Sequence, residues 1–236
     1  LLYTNKLSIV FSLWSEVKRT LNNRGVRFDK FQDIDISWRD EELEQIINKR
    51  LLHYSINKKQ PVSLQSLIPF ENDRKTILSL AGGSPRSLIS LMNRLYDEEM
   101  GDNATNGDVV SFSSATISKG LIEFCKRFDY ESLQPSKISD KNNYYNWLNK
   151  VLLIKKPYFT ISELCNVFNI KTATARTYIS QLVKLGIILP DASENEDTIY
   201  RTTDPRICYL MSRGISSLSS VSYTHLRAHE TSLHLV

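Results

Sequence analysis

Apolar positions along this chain change period several times, and each change marks an element. Residues 6–13, KLSIVFSL, are a short apolar run between polar residues, which predicts a buried strand ending at Ser12 and Leu13, with a helix to follow over about 15–21. Past the breaker Asn22-Asn23-Arg24-Gly25, Ile34, Ile36 and Trp38 alternate with polar residues in DIDISW, 33–38, the two-residue period of a second strand. From Ser37 the period becomes helical. Ser37 stands where a cap belongs, Asp40, Glu41 and Glu42 fill the first turn, and Leu43, Ile46, Ile47, Leu51 and Tyr54 make one apolar stripe. Acids in a first turn complement the helix dipole, so these carboxylates are read as electrostatics and not as a general acid and base. Short helices over 62–68 and 71–80 follow, the second stopped by Gly82-Gly83. Ser84-Pro85 then supplies a cap and a first-turn proline for a helix to about Tyr96, with Leu88, Leu91, Met92 and Leu95 inward.

The polar, glycine-punctuated stretch GDNATNGD at 101–108 predicts a linker and a domain boundary. Beyond it, Ile117, Leu121, Ile122 and Phe124 pattern a helix over 114–128, and a second polar stretch, Pro135 to Asn143, precedes a helix from Tyr144 to Ile154. Thr160 and Glu163 form a capping box for a short helix with Leu164, Val167 and Phe168 inward, and Asn169-Ile170-Lys171 makes a turn. A longer helix, Thr172 to Leu185, buries Ala175, Tyr178, Ile179, Leu182 and Leu185; Tyr178 therefore reads as core and not as a base-stacking platform. Gly186 ends it, and Ile187–Leu189 with Thr198–Tyr200 are strands around an acidic turn. This order resembles a winged helix-turn-helix. The expected fold class is mainly α with a few short strands, α+β in the broad sense.

Composition narrows the function classes. With 30 basic against 26 acidic residues the net charge is only +4, too little for a polycationic nucleic-acid coat, and 41% apolar residues suffice for a sizeable core. No apolar run approaches the roughly 20 residues of a membrane-spanning helix. The chain starts without Met and shows no signal-peptide pattern, so it reads as a fragment. Cys125, Cys165 and Cys208 fit neither a disulfide framework nor a zinc knuckle, which places the chain in a reducing cytoplasm. No phosphate-binding glycine loop occurs. His225, His229 and His234 have helical metal-site spacing, but the segment from about Ser222 to Val236 resembles translated sequencing-adapter read-through, so no metal site is read there.

Two constellations carry chemistry. In Ala81-Gly82-Gly83-Ser84-Pro85-Arg86, Arg86 would occupy the second position of its helix, where unpaired amides already make a positive field; a phosphate shared with those amides would resolve the conflict. The segments ISWRDEELEQIINKRL and LAGGSPRSLISLMNRL, within roughly residues 6–100, resemble the end of an AAA+-like P-loop ATPase of the signal-transducing (STAND) kind. The resemblance implies 1–38 as the end of an incomplete nucleotide-binding α/β domain, 39–100 as a helical lid, 101–143 as linker and connector helix and 144–212 as a winged helix; residues 213–236 read as an unstructured, unpacked tail, partly the adapter-like segment. It implies Arg86 as a second sensor reaching the terminal phosphate, Ser12 as a first-sensor candidate, and Arg24 and Arg27 as candidates for an arginine finger. Related ATPases carry an arginine just after the strand where this chain has Ser12-Leu13-Trp14. ATP and magnesium are implied for the full-length protein only. The fragment, without Walker A or Walker B motifs, needs no cofactor and is not expected to turn over ATP alone.

The second constellation is the outward face of the 172–185 helix, where Thr174, Arg176, Thr177, Ser180, Gln181 and Lys184 include no acid and suit phosphates and base edges. Against it stand Asp191, Glu194, Glu196 and Asp197 in the expected wing, offset only by Arg201. Those charges repel phosphate, and the STAND resemblance implies a winged helix that packs within the protein or joins an oligomer, so intramolecular or protein contacts are expected over DNA. The expected partners are an upstream nucleotide-binding domain and further copies of the chain, with no membrane. The alternative function is a winged-helix transcriptional regulator that reads DNA; an adaptor that only holds partners together also fits the residues.

Overall fold

The computed structural model describes residues 2–4, 7–12, 18, 21, 25–28, 34, 36–55, 59, 61–102, 111–133, 141–194 and 197–218. They are mainly helical, with a small antiparallel sheet of three strands and a separate two-stranded hairpin. The hairpin comes first. Strands β1 (Leu2–Thr4) and β2 (Leu7–Ile9) pair with Leu2 opposite Ile9. The strand expected over 6–13 thus stops at Ile9, leaving Val10 and Phe11 exposed. The strand expected over 33–38 is not formed at Ile34 or over 36–38, and Ile34, Ile36 and Trp38 are exposed. Alternation alone does not make a strand; its amides need a neighbouring strand to bond. Of the helix expected over 15–21, Lys18 and Leu21 are described and are helical, while Arg24 lies outside the described residues.

Helix α1 spans Asp40–Tyr54 and is capped by Arg39, not by Ser37. The Glu42 carboxylate accepts the Arg39 amide at 2.9 Å and its guanidinium at 3.2 Å, so the acidic first turn itself closes the helix start. Leu43 and Ile47 are buried as the stripe predicts, whereas Tyr54, at the helix end, is exposed and edge-on to His53. Helix α2 (Leu64–Leu67) is capped by Ser63, and α3 (Glu71–Ala81) follows. Helix α4 (Pro85–Asp102) runs more than a turn beyond the expected end at Tyr96. Those extra residues hold buried Glu99, whose carboxylate accepts the Ser113 amide at 3.1 Å and so ties the end of α4 to the start of α5 (Ser114–Arg127). Helices α4 and α5 pack closely because Gly120 presents no side chain to Leu95; a Cβ there would meet Leu95 Cδ2 at 2.7 Å. A 3₁₀ turn, Tyr130–Leu133, buries Tyr130 completely, with its hydroxyl donating to the Cys125 carbonyl at 2.7 Å.

Helix α6 (Lys141–Ile154) leads through β3 (Tyr158–Phe159) to α7 (Ile161–Phe168) and α8 (Thr172–Lys184). Strands β4 (Ile188–Glu194) and β5 (Asp197–Thr202) form a hairpin, β3 adds to its β5 side, and an irregularity between Pro190 and Ala192 falls where proline cannot donate. The last helix, α9 (Pro205–Ser212), packs on α6 and also on α5 and α3. It thereby joins the two groups of helices. Residues 213–218, expected in an unpacked tail, dock: Leu218 is buried, and its amide and carbonyl both bond the Asn149 side chain, at 2.6 and 3.0 Å. His225, His229 and His234 lie outside the described residues. No described helix is long and apolar enough to cross a membrane.

Candidate functional site

The turn carrying Arg86 is built by two left-handed glycines. Gly82 caps α3 at φ 60°, ψ 40°, donating to the Ser79 carbonyl at 3.0 Å, and Gly83 follows at φ 70°. Both torsions strain any residue with a Cβ, so Gly-Gly is what lets α3 stop and α4 start in so short a space. Ser84 Oγ accepts the Ser87 amide at 3.2 Å, and its carbonyl accepts the Leu88 amide at 3.0 Å, which together start α4 at Pro85. Arg86, the second helical residue, is exposed, and its side chain has no hydrogen bond or ion pair with a described residue.

The same local grammar recurs at the start of α9, where Asp204-Pro205-Arg206 matches Ser84-Pro85-Arg86 position for position. There the conflict between cation and helix start is resolved internally. Asp204 caps the helix by accepting the Arg206 amide at 2.8 Å, and its carboxylate also holds the Arg206 guanidinium, with Nε to Oδ1 at 2.9 Å. Arg206 is 5% exposed and stacks on Phe128, its Cζ 3.5 Å from the ring centroid. With serine at the cap, Arg86 has no such anion. The comparison isolates Arg86 as a cation at a helix start still open to an anionic ligand. Hydrophobic periodicity does not single out the Asp204–Arg206 pair; the repeated cap-Pro-Arg pattern is the one sign of it in the sequence.

Ser12 and Arg27 are exposed, and no hydrogen bond or ion pair among described residues links either one to Arg86. The face of α8 stands apart as well: α8 packs on α7 and β4, whereas α4 packs on α1, α3 and α5. On α8, Thr174, Arg176, Thr177 and Lys184 are exposed and Gln181 is half-buried, together with Ser180 one continuous outward arc. Neither Arg176 nor Lys184 has an ion-pair partner among the described residues. The arc is held in place by Tyr178, packed edge-on to Trp147 and Phe168 with ring centroids 5.2 and 6.1 Å away, and by Lys150 lying over Trp147 and Tyr178 at 4.0 and 4.3 Å. Tyr178 is thus an anchor, in keeping with its place in the apolar stripe. On the hairpin, Arg201 pairs with Asp191 at 3.3 Å.

Helix α7 begins with the expected capping box: Thr160 Oγ1 accepts the Glu163 amide at 3.3 Å and Glu163 accepts the Thr160 amide at 3.0 Å. Lys156 reaches the other Glu163 oxygen at 2.6 Å. The Lys156 hydrogen bond, then the Thr160 amide, lower the Glu163 pKa below its ordinary value. A depressed carboxylate stabilises the fold above its unfolded pKa, about 4.3, and the contribution disappears as pH falls through the lower folded value. Since the pair is largely exposed, the stability change is small. Lys156→Ala is therefore expected to raise the Glu163 pKa toward its ordinary value in an NMR titration, with little change in melting temperature.

A cleft of about 570 Å³ between α3 and the β3, β5 and α9 surface brings Lys75 and Arg201 to its rim. Each is already paired, Lys75 with Glu71 at 2.6 Å and Arg201 with Asp191, so the rim is electrically balanced. Burial pushes the Cys125 and Cys208 thiols up, which suits packing better than nucleophilic chemistry. Among the described residues no group of three or more His, Cys, Asp or Glu could hold a metal ion. No family model matches the chain, and neither a curated protein nor a solved structure shows significant similarity to it.

Proposed function

We propose that the chain is the lid and winged-helix portion of a signal-transducing P-loop ATPase of the AAA+-like kind, working in the cytoplasm and coupling nucleotide state to a conformational or oligomeric change. In this reading Arg86 reaches the terminal phosphate of ATP held with magnesium by an upstream domain, and residues 144–212, the elements from α6 to α9, serve as the winged helix. The observation that carries it is Arg86 itself: exposed and unpaired among the described residues, behind two left-handed glycines, whereas Asp204 neutralises the arginine of the chain's other cap-Pro-Arg sequence. Ser12 remains a weaker candidate for the same phosphate, and Arg24 and Arg27 for action in trans on a neighbouring copy. The test is to recover the coding sequence upstream of Leu1, express the whole reading frame and measure MgATP binding. A Gly-x-x-x-x-Gly-Lys-Ser/Thr motif with measurable binding supports the reading. A frame opening just before Leu1, with no phosphate loop and no binding, removes it.

A second reading rests on the α8 arc, which presents Arg176 and Lys184 unpaired among described residues and includes no acid. If this arc meets phosphates, duplex DNA binding should weaken steeply with salt, and Arg176→Ala with Lys184→Ala should reduce the log–log slope by about 2. Absence of duplex binding at low salt would leave the regulator reading without support.

A further inference from the structure

We propose that Arg206 is a positioning residue for the Gly82–Arg86 turn, so that the placement of the C-terminal elements governs where Arg86 points. The guanidinium sits at a junction of three helix ends. It rests on Phe128, which ends α5, lies against Gly82, which ends α3, and is pinned by Asp204, which caps α9. A Cβ built on Gly82 would lie 3.7 Å from Nη2 and 4.0 Å from both Cζ and Nη1, nearly equal distances that put Gly82 over the flat of the group and not at its edge. The carboxyl ends of α3 and α5 carry partial negative charge, so a cation suits this junction, and Asp204 completes the neutralisation. Buried ion pairs are poor sources of net stability but hold geometry closely.

The other end of the linkage is also explicit. Thr203, next to Asp204, donates its hydroxyl to the carbonyls of Gly186 and Ile187 at 2.8 and 3.0 Å, and its amide to Ile187 at 3.0 Å. A shift at the end of α8 is therefore passed through Thr203 and Asp204 to Arg206, and from there to the turn that aims Arg86. The regulatory meaning rests on the proposed phosphate-reading role of Arg86; the mechanical coupling does not.

Hydrogen exchange by mass spectrometry, with no nucleotide present, tests the coupling in the wild-type chain, Arg206→Lys and Asp204→Asn. Lysine keeps the charge but loses the flat stack and the fork; asparagine keeps the cap but loses the charge. Both variants are expected to exchange about tenfold faster at the amides of Ser87 and Leu88 and around Gly186–Ile188, while α7 stays unchanged, as the loss of one charged hydrogen-bond set predicts. Faster exchange confined to 205–212 would overturn the proposal, because a merely local role in α9 predicts that result; unchanged exchange everywhere would overturn it too. Should either variant fold poorly, Phe128→Leu removes the stack while keeping the ion pair, and the same segments decide. Because nucleotide is absent, loss of the ATPase reading would leave this outcome intact, and a negative exchange result would leave MgATP binding untouched.

Discussion

If the intact protein is the ATPase proposed above, alanine in place of Arg86 is expected to lower its ATP turnover about a hundredfold, the cost of removing one preorganised donor from a developing phosphate charge. The folded chain itself should hardly notice. Arg86 is exposed and has no described partner, so its loss opens no cavity and strands no buried charge. Its melting temperature should stay within about 2 °C of the parent. Arg86→Lys, which keeps a charge but loses the planar fork, should fall between the two in turnover. Steady-state ATPase rates and a thermal melt on the three proteins decide the matter, and wild-type turnover in Arg86→Ala would end the sensor assignment.

The largest expected loss of stability comes from Asp204→Ala. It strands the Arg206 charge at 5% exposure between Phe128 and the Gly82 turn, and removing one partner of a buried pair costs about 3–5 kcal/mol. Loss of the α9 cap accounts for only about 1 kcal/mol of that. Against a domain stability of about 5–15 kcal/mol, such a change should move the urea midpoint well outside error. Asp204→Asn keeps the cap and so separates the two effects. A measured loss of 1 kcal/mol or less for Asp204→Ala, no more than the cap accounts for, would mean that Arg206 finds another partner or swings out to water.

Helices were legible where their determinants are local. The stripe of Leu88, Leu91 and Leu95, the Thr160–Glu163 capping box, and the Gly82 stop each need only residues within a turn or two, and each is found where the pattern put it. The exposed arc on α8 followed from the same periodicity, as did the burial of Ala175, Ile179 and Leu182 opposite it. Elements that depend on distant partners were read less well. The alternating Ile34 and Ile36 had the period of a strand but pair with no strand among the described residues, and the end of α4 is tied by Glu99 reaching the Ser113 amide at the start of α5.

The candidate site divides along the same line. Order along the chain was enough to place Arg86 at a helix start behind paired glycines, because propensity, capping and left-handed torsions act between near neighbours. Sequence order held no sign that Arg206, 120 positions further on, lies against Gly82 and is stacked on Phe128, or that Leu218 closes onto Asn149. Those contacts arise from how α9 packs on α3, α5 and α6, and such packing depends on the shape and burial of many surfaces at once, which no local pattern encodes.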